Sequence, residues 1–345
     1  MKIKNFWHSK INWKNIENEL NKYPYVKKTF SINILKKSSE NPPFFCHPIV
    51  RWFLYNDPSP LRVLDNIFKK LQSVCGIDEK IKYLRNPKNE SFKFWSTLSE
   101  LSLALYLQGK RKEVILLEET TTPQPDIKIK LREKDLFFEV YTHHKFYYML
   151  HELMEILDER LEGSNLQPFY RTHKYSKDKR VKLNEREILR IAQVCSNRLD
   201  NIHYKNKFQR EYQTEIYEND EKTLCVYIEN KNNFDPESYV PSEYERVDEN
   251  AYFKVMLEEM IHEKNRQLKD KHPNTLAVNI LFNQEWQTIK WNRLKIPSVS
   301  FYDIDSIVFF TNTIDSEEII VKMEIVNPSV QNRDGLCKII DDTTN

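Results

Sequence analysis

Glycine is nearly missing from this chain of 345 residues: there are four, Gly76, Gly109, Gly163 and Gly335, and no two are close together. A loop that cradles phosphates needs glycine where the backbone approaches the ligand or turns through positive φ, so dinucleotide-binding and P-loop chemistry are close to excluded. Cysteine is sparse as well. The five, Cys46, Cys75, Cys195, Cys225 and Cys337, never fall in a CxxC spacing, which argues against a disulfide framework or a zinc knuckle and for buried free thiols. No apolar run approaches the roughly 20 residues that a bilayer requires. The opening MKIKNFWHSK also lacks the apolar stretch of a signal peptide. A cytoplasmic protein with no membrane partner is the expectation, and homo-oligomerisation stays open.

A surplus of one charge is also lacking, since the formal net charge is only +2. The distribution is uneven, however. Arg171 to Arg210 carries twelve Lys/Arg against four Asp/Glu, and Tyr212 to Asn250 carries three against eleven. Two opposed blocks cancel in the total. Hydrophobic residues make up 40% of the chain and aromatics 12%, enough for a substantial core. A charged fraction of 30% and a mean hydropathy of -0.68 fit a soluble protein.

The first 90 residues read as mainly helical. Ser59-Pro60 supplies a helix start, and Leu61, Leu64, Ile67, Phe68 and Leu71 recur at helical spacing up to Gly76. A second helix spans about Glu90 to Gln108, with Phe94, Leu98, Leu101 and Leu105 on one face. The pattern then changes: Val114 to Leu117, Asp126 to Leu131 and Leu136 to Tyr141 read as three strands in a meander. Helical spacing returns over Phe146 to Leu161 and again after an Asn184 cap. Leu224 to Ile228 reads as a strand, Ala251 to about Lys271 as a long helix, and Leu276 to Phe282, Ile307 to Phe310 and Ile319 to Ile325 as further strands. The order implies an α/β sandwich with a mixed central sheet.

Three acids stand out against this background. Glu100 lies in the helix before the first strand, Asp126 opens the second in Pro125-Asp126-Ile127, and Glu139 lies in the third within Phe138-Glu139-Val140-Tyr141. A separation of thirteen positions suits a short hairpin that sets Asp126 and Glu139 side by side. Oxygen donors converging from a helix and two strands would suit a hard cation, Mg²⁺ or Mn²⁺. Such an ion polarises a phosphodiester and lowers the pKa of an attacking water. The plain alternatives are a polar position on an amphipathic helix for Glu100 and a post-proline turn residue for Asp126. Glu139 is harder to read that way, because an unpaired carboxylate in a buried strand is costly. His143-His144 reads as strand-end surface more readily than as a metal pair.

A helix Glu, then Pro-Asp, then Glu after a hydrophobic pair resembles the PD-(D/E)XK superfamily of restriction-endonuclease-like nucleases. Glu263-Lys264-Asn265-Arg266-Gln267-Leu268 followed by Pro273 to Val278 resembles the later core helix of that superfamily, which often bears a Lys or Gln, and its fourth strand. The resemblance implies a restriction-endonuclease-like core over residues 90-145 and 251-327, a helical N-terminal region over 1-89, a charged and largely helical insertion over 146-250, and a tail over 328-345. It also implies Glu100, Asp126 and Glu139 as metal ligands. The sequence departs from the pattern at Tyr141, where the family places a lysine that positions or deprotonates the attacking water. A phenol with a pKa of about 10 carries no positive charge to replace it. Three replacements are open. Lys128 shares a strand face with Asp126 by alternation and is slightly favoured, Lys145 lies near the strand end, and Lys264 would come from the later helix, with Gln267 one turn beyond.

The segment Arg171 to Val181-Lys182 is dense in basic residues, with Arg171, Lys174, Lys177, Lys179, Arg180 and Lys182 around Tyr175. Such a run suits a phosphate backbone; a solvated loop, or a contact folded back on the acidic block, reads it equally. The functional expectation is a metal-dependent nuclease acting on DNA or RNA. The alternatives are a degenerate relative that binds nucleic acid without cleaving it, and a protein-interaction module.

Overall fold

The computed structural model describes residues 11–39, 47–54, 57–85, 91–110, 113–130, 135–142, 153–154, 156–158, 160–172, 185–203, 213–219, 224–230, 249–280, 291, 294–295, 297–312 and 319–329. The chain divides into two compact units, residues 1–143 with 247–345, and residues 144–246. Among the described residues no helix is long and apolar enough to cross a membrane.

The first unit opens with helices α1 (Trp13–Leu20), α2 (Pro24–Thr29), α3 (Ile32–Ser38), α4 (Pro48–Leu54), α5 (Ser59–Leu71), α6 (Ile77–Arg85) and α7 (Ser91–Gly109). Helix α5 starts with Pro60 in its first turn and buries Leu61, Leu64, Ile67, Phe68 and Leu71, the stripe that its periodicity predicts. Gly76 holds φ +85 in the turn that follows, and a Cβ there would lie 1.9 Å from the Leu116 carbonyl oxygen. Only glycine fits so close an approach of two backbones.

Strands β1 (Glu113–Leu116), β2 (Ile127–Lys130) and β3 (Asp135–Thr142) form the expected antiparallel meander. After the second unit the chain returns as α9 (Glu249–Leu268), then β7 (Asn274–Asn279), β8 (Ser306–Asn312) and β9 (Ile319–Val326). The strands make one six-stranded sheet in the order β1-β2-β3-β7-β8-β9. Pairing is parallel between β3 and β7 and between β7 and β8, and antiparallel elsewhere. The unit is therefore α/β with a mixed sheet.

Alternation along the central strands separates two apolar layers. Leu136, Phe138, Val140, Ala277, Val308 and Phe310 join the layer built with α5 and α7. Leu276, Val278, Ile307 and Phe309 join the other, with Phe253, Leu257, Met260 and Leu268 of α9. Helix α7 is buried along nearly its whole length, including the polar Thr97, Ser99, Glu100 and Ser102. Its serines are partnered: Asn279 at the end of β7 donates to Ser99 Oγ at 2.8 Å and to Asn312 Oδ1 at 2.7 Å, and Asn312 donates to Ser102 Oγ at 3.2 Å.

The second unit carries β4 (Leu166–Thr172), α8 (Glu185–His203), β5 (Gln213–Glu218) and β6 (Leu224–Asn230). Its three strands form an antiparallel sheet in the order β4-β6-β5, so the described residues of the segment include two strands, β4 and β5, beyond the one read from the sequence. Cys195 and Cys225 are buried free thiols there, and Cys75 of the first unit is exposed.

Candidate active site

Asp126 sits where β2 departs from β3. Its amide donates to the Phe138 carbonyl at 2.9 Å, and its own carbonyl accepts from the Leu117 amide at 2.8 Å. Its side-chain Oδ2 accepts from the Val140 amide at 2.8 Å. Ile127 pairs with Phe138, so the register carried one residue further sets Asp126 across from Glu139. The short hairpin read from the sequence is therefore present.

Glu139 is buried in the centre of the sheet, between β2 and β7, and its neighbours Phe137 and Tyr141 share its side of the strand. Lys264 of α9 meets it there, with Nζ 2.8 Å from Oε1. The same ammonium lies 5.5 Å from the centre of the Tyr141 ring. Tyr141 thus faces, through a cation–π contact, the cation that its own position lacks. A parallel crossover is what makes this meeting possible: β3, α9 and β7 form one unit whose helix lies across the sheet face that Glu139 presents.

On the other side of Asp126 stands Glu100. Lys80 of α6 places Nζ 2.5 Å from Glu100 Oε2 and 3.6 Å from Asp126 Oδ1, with its side chain only 1% exposed. Three carboxylates and two ammonium groups therefore lie together in the core of the unit. Burial pushes Glu100 upward, the Asp126 charge adds to this, and Lys80 opposes it, leaving the carboxyl at about 8. Glu139 is likewise held well above the ordinary carboxylate range by burial and by Asp126, against the pull of Lys264. Burial works to lower both lysines, but their carboxylate partners outweigh it and raise them. Three acids face two ammonium groups, and burial together with the charge on Asp126 favours the protonated form of Glu100 and of Glu139.

The sequence-derived candidates separate clearly. Asp126, Glu139, Glu100 and Lys264 are brought together. Lys128 is not: its Nζ lies 2.5 Å from Asp135 and 5.8 Å from the Phe137 ring centre. Alternation gives a face but not a position along it, and two residues along a strand move a side chain about 6.6 Å. Gln267 is half-buried on α9, and among the described residues no hydrogen bond joins it to the acids. Arg171 lies in β4, where its backbone pairs with Cys225. Its side chain lies outside the described residues, as do His143, His144, Lys145, Lys174, Lys177, Lys179, Arg180 and Lys182.

Lys80 is the participant that sequence reading missed. In Ile77-Asp78-Glu79-Lys80-Ile81-Lys82-Tyr83-Leu84 it follows Ile77 by three and precedes Leu84 by four, which places it on the buried stripe of α6. A lysine at such a position was the available signal.

The donor set bears on a divalent cation in two ways. Its chemistry, carboxylate oxygen alone, is that of a Mg²⁺ or Mn²⁺ site. Its geometry does not gather all three acids: among the described residues, the one group of three or more acids, histidines or cysteines whose ligand atoms all lie within 4.8 Å of one another is Glu215, Glu218 and Cys225 of the second unit. Mg²⁺ is commonly held by one or two carboxylates together with water and phosphate. Asp126 and Glu139, set across from each other by strand register, fit that requirement, and the Lys80 ammonium between Glu100 and Asp126 is a departure from the three-ligand expectation. No protein-family model, no curated protein and no solved structure matches the chain.

Proposed function

We propose that this chain hydrolyses phosphodiester bonds of DNA or RNA, as a restriction-endonuclease-like nuclease whose motif lysine has moved from β3 to α9. The observation that carries the reading is the Lys264 ammonium 2.8 Å from Glu139, beside the Tyr141 ring. It supplies the positive charge that the third motif position lacks.

In this reading Asp126 and Glu139 hold Mg²⁺ or Mn²⁺, which when bound polarises the phosphate and lowers the pKa of a water. Asp126 is presented by its bond from the Val140 amide, so its free orientation is restricted before any ligand arrives. Lys264 sets its N–H donors beside Glu139, where they can bind the water or a phosphoryl oxygen and stabilise the charge that develops. The water adds to phosphorus as the bond to the sugar oxygen breaks, yielding a phosphate monoester and a sugar hydroxyl.

A second reading keeps nucleic-acid binding and drops the cleavage. It is favoured by Lys80 and Lys264 neutralising the acids without any metal. One assay separates the two: single- and double-stranded DNA and RNA are incubated with Mg²⁺ or Mn²⁺ and the wild-type chain or Asp126→Ala. Metal-dependent cleavage that is lost in Asp126→Ala supports hydrolysis. Salt-sensitive binding without cleavage, equal in both proteins, supports the second reading.

A further inference from the structure

Lys80 is not part of the constellation just described as hydrolytic, yet it occupies the space between two of the acids. Its Nζ is 2.5 Å from Glu100 Oε2 and 3.6 Å from Asp126 Oδ1. A divalent cation bridging Glu100 and Asp126 would need that same space. The ammonium cannot retreat easily, because its side chain is 1% exposed and its helix is fixed from below. Gly76, at the start of that helix, packs its backbone against Leu116, and the Leu116 amide donates to the Cys75 carbonyl at 2.9 Å. Ile77 and Leu84 bury the same stripe on either side of Lys80.

We propose that Lys80 is an internal counter-cation that withholds Glu100 from a bound divalent metal and competes with that metal for Asp126. The proposal rests on the reading of Asp126 and Glu139 as metal holders. The physical reason is that two cations cannot share one pair of buried carboxylates without strong repulsion in a poorly screened interior. Lys80 keeps the cluster compensated and the core folded when no metal is present, at the expense of metal affinity. A buried carboxylate left without a partner would otherwise oppose folding. Glu100 is thereby the ligand of a lysine, and the metal site is reduced to two protein carboxylates.

The test is Mn²⁺ binding to the full chain, followed by titration calorimetry and by the electron paramagnetic resonance signal of free Mn²⁺. Four proteins are compared: wild type, Lys80→Met, Glu100→Gln and the double variant, with Asp126→Ala as the control for the site itself. Removing the ammonium both ends the repulsion and frees Glu100, so Lys80→Met should bind Mn²⁺ at least about tenfold more tightly than wild type. Glu100→Gln alone should change the affinity by less than about threefold, because Lys80 already engages that carboxyl, and it should abolish the gain in the Lys80→Met background. Unchanged or weaker binding by Lys80→Met overturns the proposal, as does a loss of about tenfold or more in Glu100→Gln, which would make Glu100 a ligand in the wild-type chain. Should Lys80→Met fail to fold by far-ultraviolet circular dichroism, the Glu100→Gln result decides alone. Wild-type binding that disappears in Asp126→Ala, with Lys80→Met unchanged, overturns the role of Lys80 and leaves the metal reading standing. Binding by none of the proteins overturns both.

Discussion

Lys264 on α9 lies 2.8 Å from Glu139 on β3, although the two are 125 positions apart in the chain. The second unit, residues 144–246, is inserted between the strand and the helix. Charge partners separated so widely in sequence meet because β3, α9 and β7 form a parallel crossover, which brings the helix back over the strand it follows. A site that joins this pair to Glu100 is sensitive to whatever fixes α9, and α7 with its Glu100, against the sheet.

One such dependence concerns pH. Glu100 is raised to about 8 by burial and the Asp126 charge, so between the ordinary carboxylate range and pH 8 the folded chain holds a proton that the unfolded chain releases. Stability must then fall as pH rises through that window. His47 acts in the opposite sense: burial lowers it to about 4, so below its ordinary value of 6.5 stability falls as pH falls. The two effects oppose each other in mild acid, and above pH 6.5 the raised carboxyls act without opposition from His47. The midpoint of thermal unfolding should therefore drop between pH 6.5 and 8, and Glu100→Gln should flatten the slope without abolishing it, since Glu139 is raised as well. A midpoint constant over that range, or equally steep in the variant, contradicts the assignment.

Gly76 and Gly109 should respond differently to the same change. Alanine at Gly76 would meet the Leu116 carbonyl at 1.9 Å and adopt φ +85. The conformation alone costs about 1–3 kcal/mol, and the forced separation of α6 from β1 adds to it and shifts Lys80. At Gly109, the last residue of α7, the added methyl meets nothing within 4 Å beyond its chain neighbours and the backbone of its own helix. Alanine there should be neutral or stabilising by up to about 1 kcal/mol. Urea unfolding of the two variants gives the comparison, and equal midpoints would contradict it.

The polar row beneath α7 gives a third expectation. Asn279 is fully buried and bonds to Ser99 and Asn312 at once. Replacing it with Leu strands two buried groups, at a cost of about 1–3 kcal/mol each. The denaturation midpoint of Asn279→Leu should fall with the urea slope unchanged. A loss below about 0.5 kcal/mol would mean that the row does not hold the helix to the sheet.

The meander and the acids were readable because their signals are local. Period-two alternation marked β2 and β3, and a carboxylate after Leu136-Phe137-Phe138 stands out in a strand that has no other reason to carry charge. The two lysines that complete the cluster were harder, because each is recognisable only as a cation on a buried helical stripe. Lys264 follows Met260 and Ile261 and precedes Leu268, as Lys80 lies between Ile77 and Leu84. Lys128 pairs with Asp135 across the hairpin, because alternation along a strand sets the face of a side chain and not its distance from Asp126. Strands β4 and β5 carry a weak sequence signal for a different reason. Pro168 interrupts the first as a strand signal, and it is tolerated because β4 lies at the edge of its sheet. Strand β5, Gln213 to Glu218, is short and carries two exposed glutamates among its six residues.

The claim most exposed to test is that Lys264, and neither Lys128 nor Tyr141, supplies the cation of the site. Cleavage of a labelled oligonucleotide in Mg²⁺ or Mn²⁺ is to be measured for wild type, Lys264→Met, Lys264→Arg and Lys128→Ala. The account predicts a rate lowered by about 10² or more in Lys264→Met, partial recovery in Lys264→Arg, and wild-type cleavage in Lys128→Ala. Wild-type cleavage by Lys264→Met, or its loss in Lys128→Ala, would contradict the account.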